Sequence, residues 1–261
     1  MKKTLTYLIA TAVLLIISVA AMAQGGASPM AGSTHEYKVN PGDQSNDLLW
    51  EISGGTASDY TINTALDGDS ISITWNSSAV GKSFTLSFTE TTPAPASCST
   101  VKQLSVNPIN NAFDVNIGTL TDACNNNSGS VSPGDSATSV VTIPFVMEKG
   151  ATSWNPNWQV TFNVSIGSGN ARIPSVELAT GASGTLNDLG GSSYTIADIG
   201  GGTTSIAVEV KGYSFEDVVS NIEITAAKEL DYNTPASSTG GWSAVPSTIY
   251  KIPNTTDIAT D

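Results

Sequence analysis

Residues 158 to 166 read Trp-Gln-Val-Thr-Phe-Asn-Val-Ser-Ile, an unbroken alternation of apolar and polar side chains. Successive side chains of an extended backbone point to opposite faces, so this period marks a β-strand with one face buried and one solvated. The same period recurs in Ile71, Ile73 and Trp75, in Phe84, Leu86 and Phe88, and in Ile206, Val208 and Val210. Ser and Thr fill most of the intervening positions, and their small polar side chains suit the wet face of a pleated sheet. Helical spacing is nearly absent; its one candidate, 215–219, is too short to be more than a turn. Pro41-Gly42, Gly54-Gly55, Asp67-Gly68, Pro133-Gly134, Gly190-Gly191 and Gly200-Gly201-Gly202 punctuate the alternating runs. Short strands and turns at this spacing predict an all-β chain of two tandem immunoglobulin-like β-sandwiches.

The chain divides most naturally near Asn107-Pro108. Before it, strands are expected near 36–40, 48–53, 60–63, 70–75, 83–90 and 100–106. After it they are expected near 112–117, 139–147, 158–167, 172–179, 193–197, 204–211 and 219–226. The first sandwich is thus placed at 36–106 and the second at 107–228. Residues 24–35 read as a flexible leader, and 229–261, rich in Pro, Ser, Thr and Gly, as a loose tail. Trp242 and the stretch 247–252 could dock that tail as a last strand.

The first residues have another logic. Lys2 and Lys3 precede an apolar core from Leu5 to Val19, and Ala21-Met22-Ala23 supplies a small-residue cleavage site before Gln24. This is the pattern of a secretory signal peptide over 1–23; an uncleaved membrane anchor is the other reading of so long an apolar core. No later stretch is apolar enough to span a bilayer. The formal charge is −13 and becomes more negative when Lys2 and Lys3 leave. A surface this acidic repels phosphate backbones, which sets nucleic acids aside as partners. The expected location is secreted or cell-surface, with the periplasm as the alternative.

In the first sandwich the run "WEISGGT" is followed by "ISITW", "GKSFTLSFTE", Cys98-Ser99 and "KQLSV". This series resembles the PKD-like, immunoglobulin-like modules of secreted and surface proteins of gliding Gram-negative bacteria. It covers about residues 36–106, and it departs from the better-known PKD signature because no W-x-F-G-D-G occurs. The resemblance implies a spacer or binding module of a surface protein. Gly54-Gly55 reads as a sandwich corner needing positive φ; a phosphate cradle would require a helix opening after the glycines, and "TASDYTI" opens none.

Little in the sequence points to catalysis. His35 is the only histidine and cannot build a multi-histidine metal site; a triad through it would rest on the leader. Ser99-Thr100-Val101-Lys102 spells S-x-x-K but enters a strand, where Ser and Lys do not share a helix face. A non-enzymatic chain is therefore expected, with no cofactor. Ca²⁺ is the one metal the residues suggest, because hard oxygen ligands gathered in loops suit it. Asp67 and Asp69 flank Gly68 in a turn, and Asp188, Asp198, Glu216 and Asp217 fall near others. Trp154, beside the Asn155-Pro156-Asn157 loop, is the ligand-binding candidate, since an exposed indole stacks on a sugar or anchors a protein; the alternative is an indole folded over the sandwich end. Cys98 and Cys124, the only cysteines, are expected to form a disulfide across the module boundary in an oxidising compartment, the alternative being two independent thiols. Three roles follow: a structural, adhesive or protein-interaction module, a carbohydrate-binding module using Trp154, or a subunit of a polymeric surface fibre in which leader or tail adds a strand to a neighbour.

Overall fold

The computed structural model describes residues 26–124, 138–150, 154–168, 172–213, 217–238 and 241–250. The leader cleavage at Gln24, residue Glu216 and the last eleven residues lie outside them. The chain is all-β and falls into two compact units. One holds the described residues up to Asn111 together with Tyr232–Thr234. The other holds Ala112–Asp231 and the residues from Pro235 onward.

The first unit is an immunoglobulin-like pair of three-stranded antiparallel sheets. Strands β1 (Thr34–Lys38), β3 (Tyr60–Ile62) and β4 (Ser70–Trp75) form one in the order β1-β4-β3. Strands β2 (Asp47–Ser53), β5 (Phe84–Thr91) and β6 (Ser99–Val106) form the other in the order β2-β5-β6. Alternation decides which side chains meet between them. Ile71, Ile73 and Trp75 of β4 are fully buried, as are Phe84, Leu86 and Phe88 of β5. Trp75 and Phe84 rings approach to 4.9 Å. The polar ends of the aromatics are satisfied. The Trp75 indole N–H donates to the Tyr37 hydroxyl at 3.0 Å, that hydroxyl donates to the Gly26 carbonyl, and Trp50 donates to Gly68 O at 2.9 Å. Each such large side chain contributes about 1.5–3 kcal/mol of burial.

The corner after β2 has a purely steric explanation. Gly54 and Gly55 hold φ of 92° and 61°. A Cβ on Gly55 would lie 2.4 Å from the Phe84 ring and 2.5 Å from Asp59 Oδ2, and one on Gly54 would lie 2.4 Å from Ser83 O. The pair of glycines lets the turn close onto β5.

The leader departs from its expected looseness. Met30 and Ser33 are buried, and Ala31 N–H donates to Ile109 O. The first strand starts at Thr34, because His35 and Tyr37 alternate inward against exposed Glu36 and Lys38.

The second unit packs a six-stranded sheet on a four-stranded one. Strands β7 (Asp114–Ile117), β9 (Thr138–Glu148), β11 (Arg172–Leu178) and β14 (Ser205–Tyr213) make the smaller sheet, ordered β11-β14-β9-β7. The larger contains β8 (Ala123–Cys124), β10 (Trp158–Ser168), β12 (Thr185–Gly190), β13 (Ser193–Ile199), β15 (Val218–Glu229) and β16 (Val245–Tyr250), ordered β12-β13-β10-β15-β16-β8. Central β10 buries Trp158, Val160, Phe162 and Val164. Phe162 meets Phe145 at 4.7 Å across the sheets, and Trp158 donates to Thr203 O at 2.8 Å. The tail is a structural element through Tyr250: β16 pairs antiparallel with β15 and buries Ser247 and Ile249.

Candidate interaction surface

His35 lies in β1 opposite Ile73 and is only 4% exposed. The Ser33 hydroxyl donates to Met30 O, so it accepts the hydrogen bond at 2.8 Å from His35 Nε2. That bond fixes the neutral tautomer with its proton on Nε2. Tyr232 stacks on the ring at 4.2 Å, and Thr34 N–H donates to Tyr232 O. Burial pushes the imidazole down to a pKa of about 4. The only histidine is a core residue of the first unit, and its expected place on a loose arm is corrected.

Two carboxylates with displaced acidities hold turns. Asp59 has a fully buried side chain; Lys82 Nζ at 2.7 Å and the Thr56 amide at 2.6 Å keep its carboxyl well below the ordinary range. Glu90 accepts from the Gly42 and Asp43 amides and from Asn46, and the Gly42 bond leads in lowering its pKa. Both tie loops to strands at a sandwich end. Asp67 and Asp69 are exposed in the turn before β4. No group of three or more His, Cys, Asp or Glu gathers around them or elsewhere among the described residues. Asp188 is occupied in its own turn, accepting from Gly190 N–H.

Trp154 is not an open platform. It is half-buried, packs on the core of the second unit, and meets the Phe113 ring edge-on at 6.2 Å. Nearby, Asn157 accepts from Gly201 N–H and bonds Asp231 through its backbone and side-chain amides. The Asn155-Pro156-Asn157 loop thus closes the sandwich end, and the indole folds over it. Cys98 and Cys124 are both exposed, Cys98 in the first unit and Cys124 in the second. Cys98 sits in the β5–β6 hairpin, where its backbone N–H bonds Thr92 Oγ1.

Two features that sequence reading did not single out remain open. In the second unit, a groove of about 290 Å³ runs between β7 and the strap leading into β16, walled by Trp242, Ile117, Asn116, Ser238 and Ser243. Trp242 is held there by donating to Val115 O at 2.8 Å. In the first unit, β6 pairs among the described strands with β5 alone, and seven of its eight residues are exposed, all but Val106. Leu104 and Val101, on opposite faces, are 41% and 53% exposed. On the core-facing side, Lys102 and Leu104 stand beside buried Phe88 and Leu86 yet are solvated, so the facing sheet does not cover β6. The Thr92 N–H to Cys98 O bond sets the phase of the hairpin. The backbone N–H and C=O groups of Val101, Gln103 and Ser105 therefore point away from β5, and no strand among the described residues pairs with them.

No protein-family description and no curated protein matches the chain. Among solved structures, a cohesin module from a Clostridium perfringens family 33 glycoside hydrolase aligns at 11% identity, over 54% of this chain and 99% of its own, with a TM-score of 0.35. A structure described as BspA_C_WT aligns at 6% identity over 87% of this chain and 96% of its own, with a TM-score of 0.30. The Enterococcus faecalis MSCRAMM ACE aligns at 8% identity over 87% and 92%, with a TM-score of 0.23. Scores this low carry no functional argument; the sandwich assignment stands on the strands and sheets of the chain itself. Among the described residues, no helix is long and apolar enough to cross a membrane.

Proposed function

We propose that the chain is an exported, non-enzymatic β-sandwich protein with a structural, adhesive or protein-interaction role at a bacterial surface. The observation that carries this reading is the β6 edge, an eight-residue strand exposed at seven positions, whose outer backbone groups meet no other strand among the described residues. Such an edge is a template for an added strand. The basic and apolar pattern of 1–23, the "WEISGGT" series resembling surface modules, and the acidic composition support it. Cell fractionation with antibody labelling of intact cells tests it, with N-terminal sequencing of the labelled chain. A surface chain beginning at Gln24 is expected; a cytoplasmic chain retaining Met1 refutes the reading.

A second reading is favoured by the groove beside Trp242. An indole wall with Asn116, Ser238 and Ser243 around it offers one apolar face and several hydrogen-bonding groups, the combination a sugar ring needs. In this reading glycan recognition moves from Trp154 to Trp242. Glycan-array binding that survives Trp154→Ala and is lost in Trp242→Ala would establish it.

A further inference from the structure

His35 is buried in the first unit, yet the group that covers its ring is not part of a strand. The imidazole, carried by β1 opposite Ile73, meets the Tyr232 ring face to face at 4.2 Å and 18°. Tyr232–Thr234 belong to the first unit, although Asp231 and Pro235 on either side belong to the second. The three residues lie outside every strand. Tyr232 is half-buried and Asn233 exposed, so the segment lies at the surface with the imidazole beneath it. Thr34 N–H seats it by donating to Tyr232 O at 2.8 Å, and Thr234 is buried. Asn233 turns the chain at φ 56°, a left-handed conformation that asparagine tolerates.

This cover suits one charge state of the ring. The neutral imidazole gives its Nε2 proton to Ser33 Oγ, and Ser33 gives its own to Met30 O. A second proton would go to Nδ1 and bring a full charge under the cover. The described groups around the ring do not balance it. On β1, Tyr37 shares its face at 6.3 Å, while Glu36 and Lys38 point to solvent and pair with each other. Strand β4 and the Met30–Ser33 turn bring no titratable side chain, and the covering segment brings only the Tyr232 hydroxyl. Beside that segment, Asp231 bonds Asn157, and Glu229 accepts from Asp231 N–H. Desolvation accordingly lowers the imidazole from 6.5 to about 4, and the π face of Tyr232 offsets only part of it. Two openings would hydrate a charged ring. Parting β1 from β4 breaks a ladder of five residue pairs. Lifting Tyr232–Thr234 leaves every strand in place, so it is the cheaper opening.

We propose that Tyr232–Thr234 is an acid-released latch on the first unit: protonation of His35 drives the Tyr232 ring off the imidazole and frees the segment while the sandwich stays folded. Above pH 6.5 open and closed forms are both neutral, and the latch is at its tightest. As the pH falls toward 4 the open form alone takes up a proton, and the latch loosens; below 4 both are charged and the effect is flat. With 6.5 for the opened ring and about 4 for the closed one, the opening constant rises about 75-fold between pH 7 and 4.5. The inference goes beyond the surface role and does not rest on it.

Amide hydrogen exchange of the purified protein, read by NMR at pH 7 and 4.5 and corrected for intrinsic exchange, tests it. The opening constant of Thr34 N–H, which bonds Tyr232 O, should rise about 75-fold at pH 4.5 and be insensitive to low urea. The amides of β5, the central strand of its sheet, should exchange only through urea-sensitive global unfolding. In His35→Gln the Thr34 opening should lose its pH dependence. In Tyr232→Ala the Thr34 amide should exchange fast at both pH values, and the His35 ring, followed by its own proton resonances, should titrate close to 6.5. A Thr34 amide that opens equally at the two pH values overturns the proposal. So does one with the urea sensitivity of β5, because the ring would then be released only by unfolding. A folded Tyr232→Ala protein in which His35 still titrates near 4 overturns it as well, by showing that Tyr232 is not what shields the ring. The wild-type exchange decides the matter even where a variant fails to fold.

Discussion

Acidification should unfold the first unit through His35, with a magnitude set by its surroundings. The ring is 4% exposed, gives its one proton to Ser33, and lies face to face with Tyr232. No carboxylate of β1 faces it, because Glu36 points to solvent. Its pKa falls from 6.5 in the unfolded chain to about 4 in the fold. Above pH 6.5 both states are neutral and the stabilisation is complete. As the pH drops below 6.5, the unfolded chain takes up a proton that the folded ring refuses, and stability is lost until the folded ring titrates near 4. Below that both states are charged and this contribution is flat. Between pH 7 and 4.5 the loss amounts to about 2.5 kcal/mol, a large part of a domain's net stability. Urea unfolding of the wild type and of His35→Gln at both pH values separates it from the carboxylates, which titrate alike in the two proteins. His35→Gln keeps a donor for Ser33 and should be less stable at pH 7, yet lose about 2.5 kcal/mol less on acidification. Equal pH slopes in the two proteins would refute the assignment of His35 as a buried neutral base.

The remaining predictions test packing. Gly55→Ala forces a Cβ into Phe84 and Asp59, whereas Gly81→Ala, at φ 77° with open space around it, meets only backbone strain of about 1–2 kcal/mol; thermal melts should show the first losing more than twice what the second loses. Asp59→Ala should lower the melting temperature by several degrees, since it strands the Thr56 amide and Lys82. Lys38→Ala, which removes an ion pair exposed on both sides, should leave it within about one degree. Trp158→Ala should cost about 3–5 kcal/mol in urea unfolding, because the indole is fully buried and hydrogen-bonded. Cys98 and Cys124 should both react with a thiol reagent without denaturant, and reductant should leave the melting curve unchanged.

Where one face of a strand is buried and the other wet, the alternation alone located it. Strands β4, β5, β10 and β14 carry their Ile, Val, Phe and Trp at every second position, and a slip of one residue would turn that whole set to solvent. The strands that escaped lack this contrast. Strand β12 reads Thr-Leu-Asn-Asp-Leu-Gly and is nearly all exposed at a sheet edge, so no burial pattern is written into it. Strand β8 is two residues pairing in parallel with β16. The leader misled for the opposite reason: His35 and Tyr37 do alternate with Glu36 and Lys38, but a histidine does not register as an apolar position until its burial is seen.

The candidate sites were legible in inverse proportion to their dependence on tertiary contact. The double glycine could be read as a corner, since positive φ is a local demand. Whether Trp154 is a platform or a lid depends on Phe113, forty-one positions earlier in the chain, and no local pattern carries that. Whether Cys98 and Cys124 meet is a tertiary question that their spacing does not carry, because a bridge needs Cα atoms within about 7 Å. The β6 edge was hidden by its own regularity. Its residues alternate like those of any strand, and only the sheet order shows that no described strand lies beyond it. An open edge is a property of what fails to pair, which is written in the neighbours' lengths and positions.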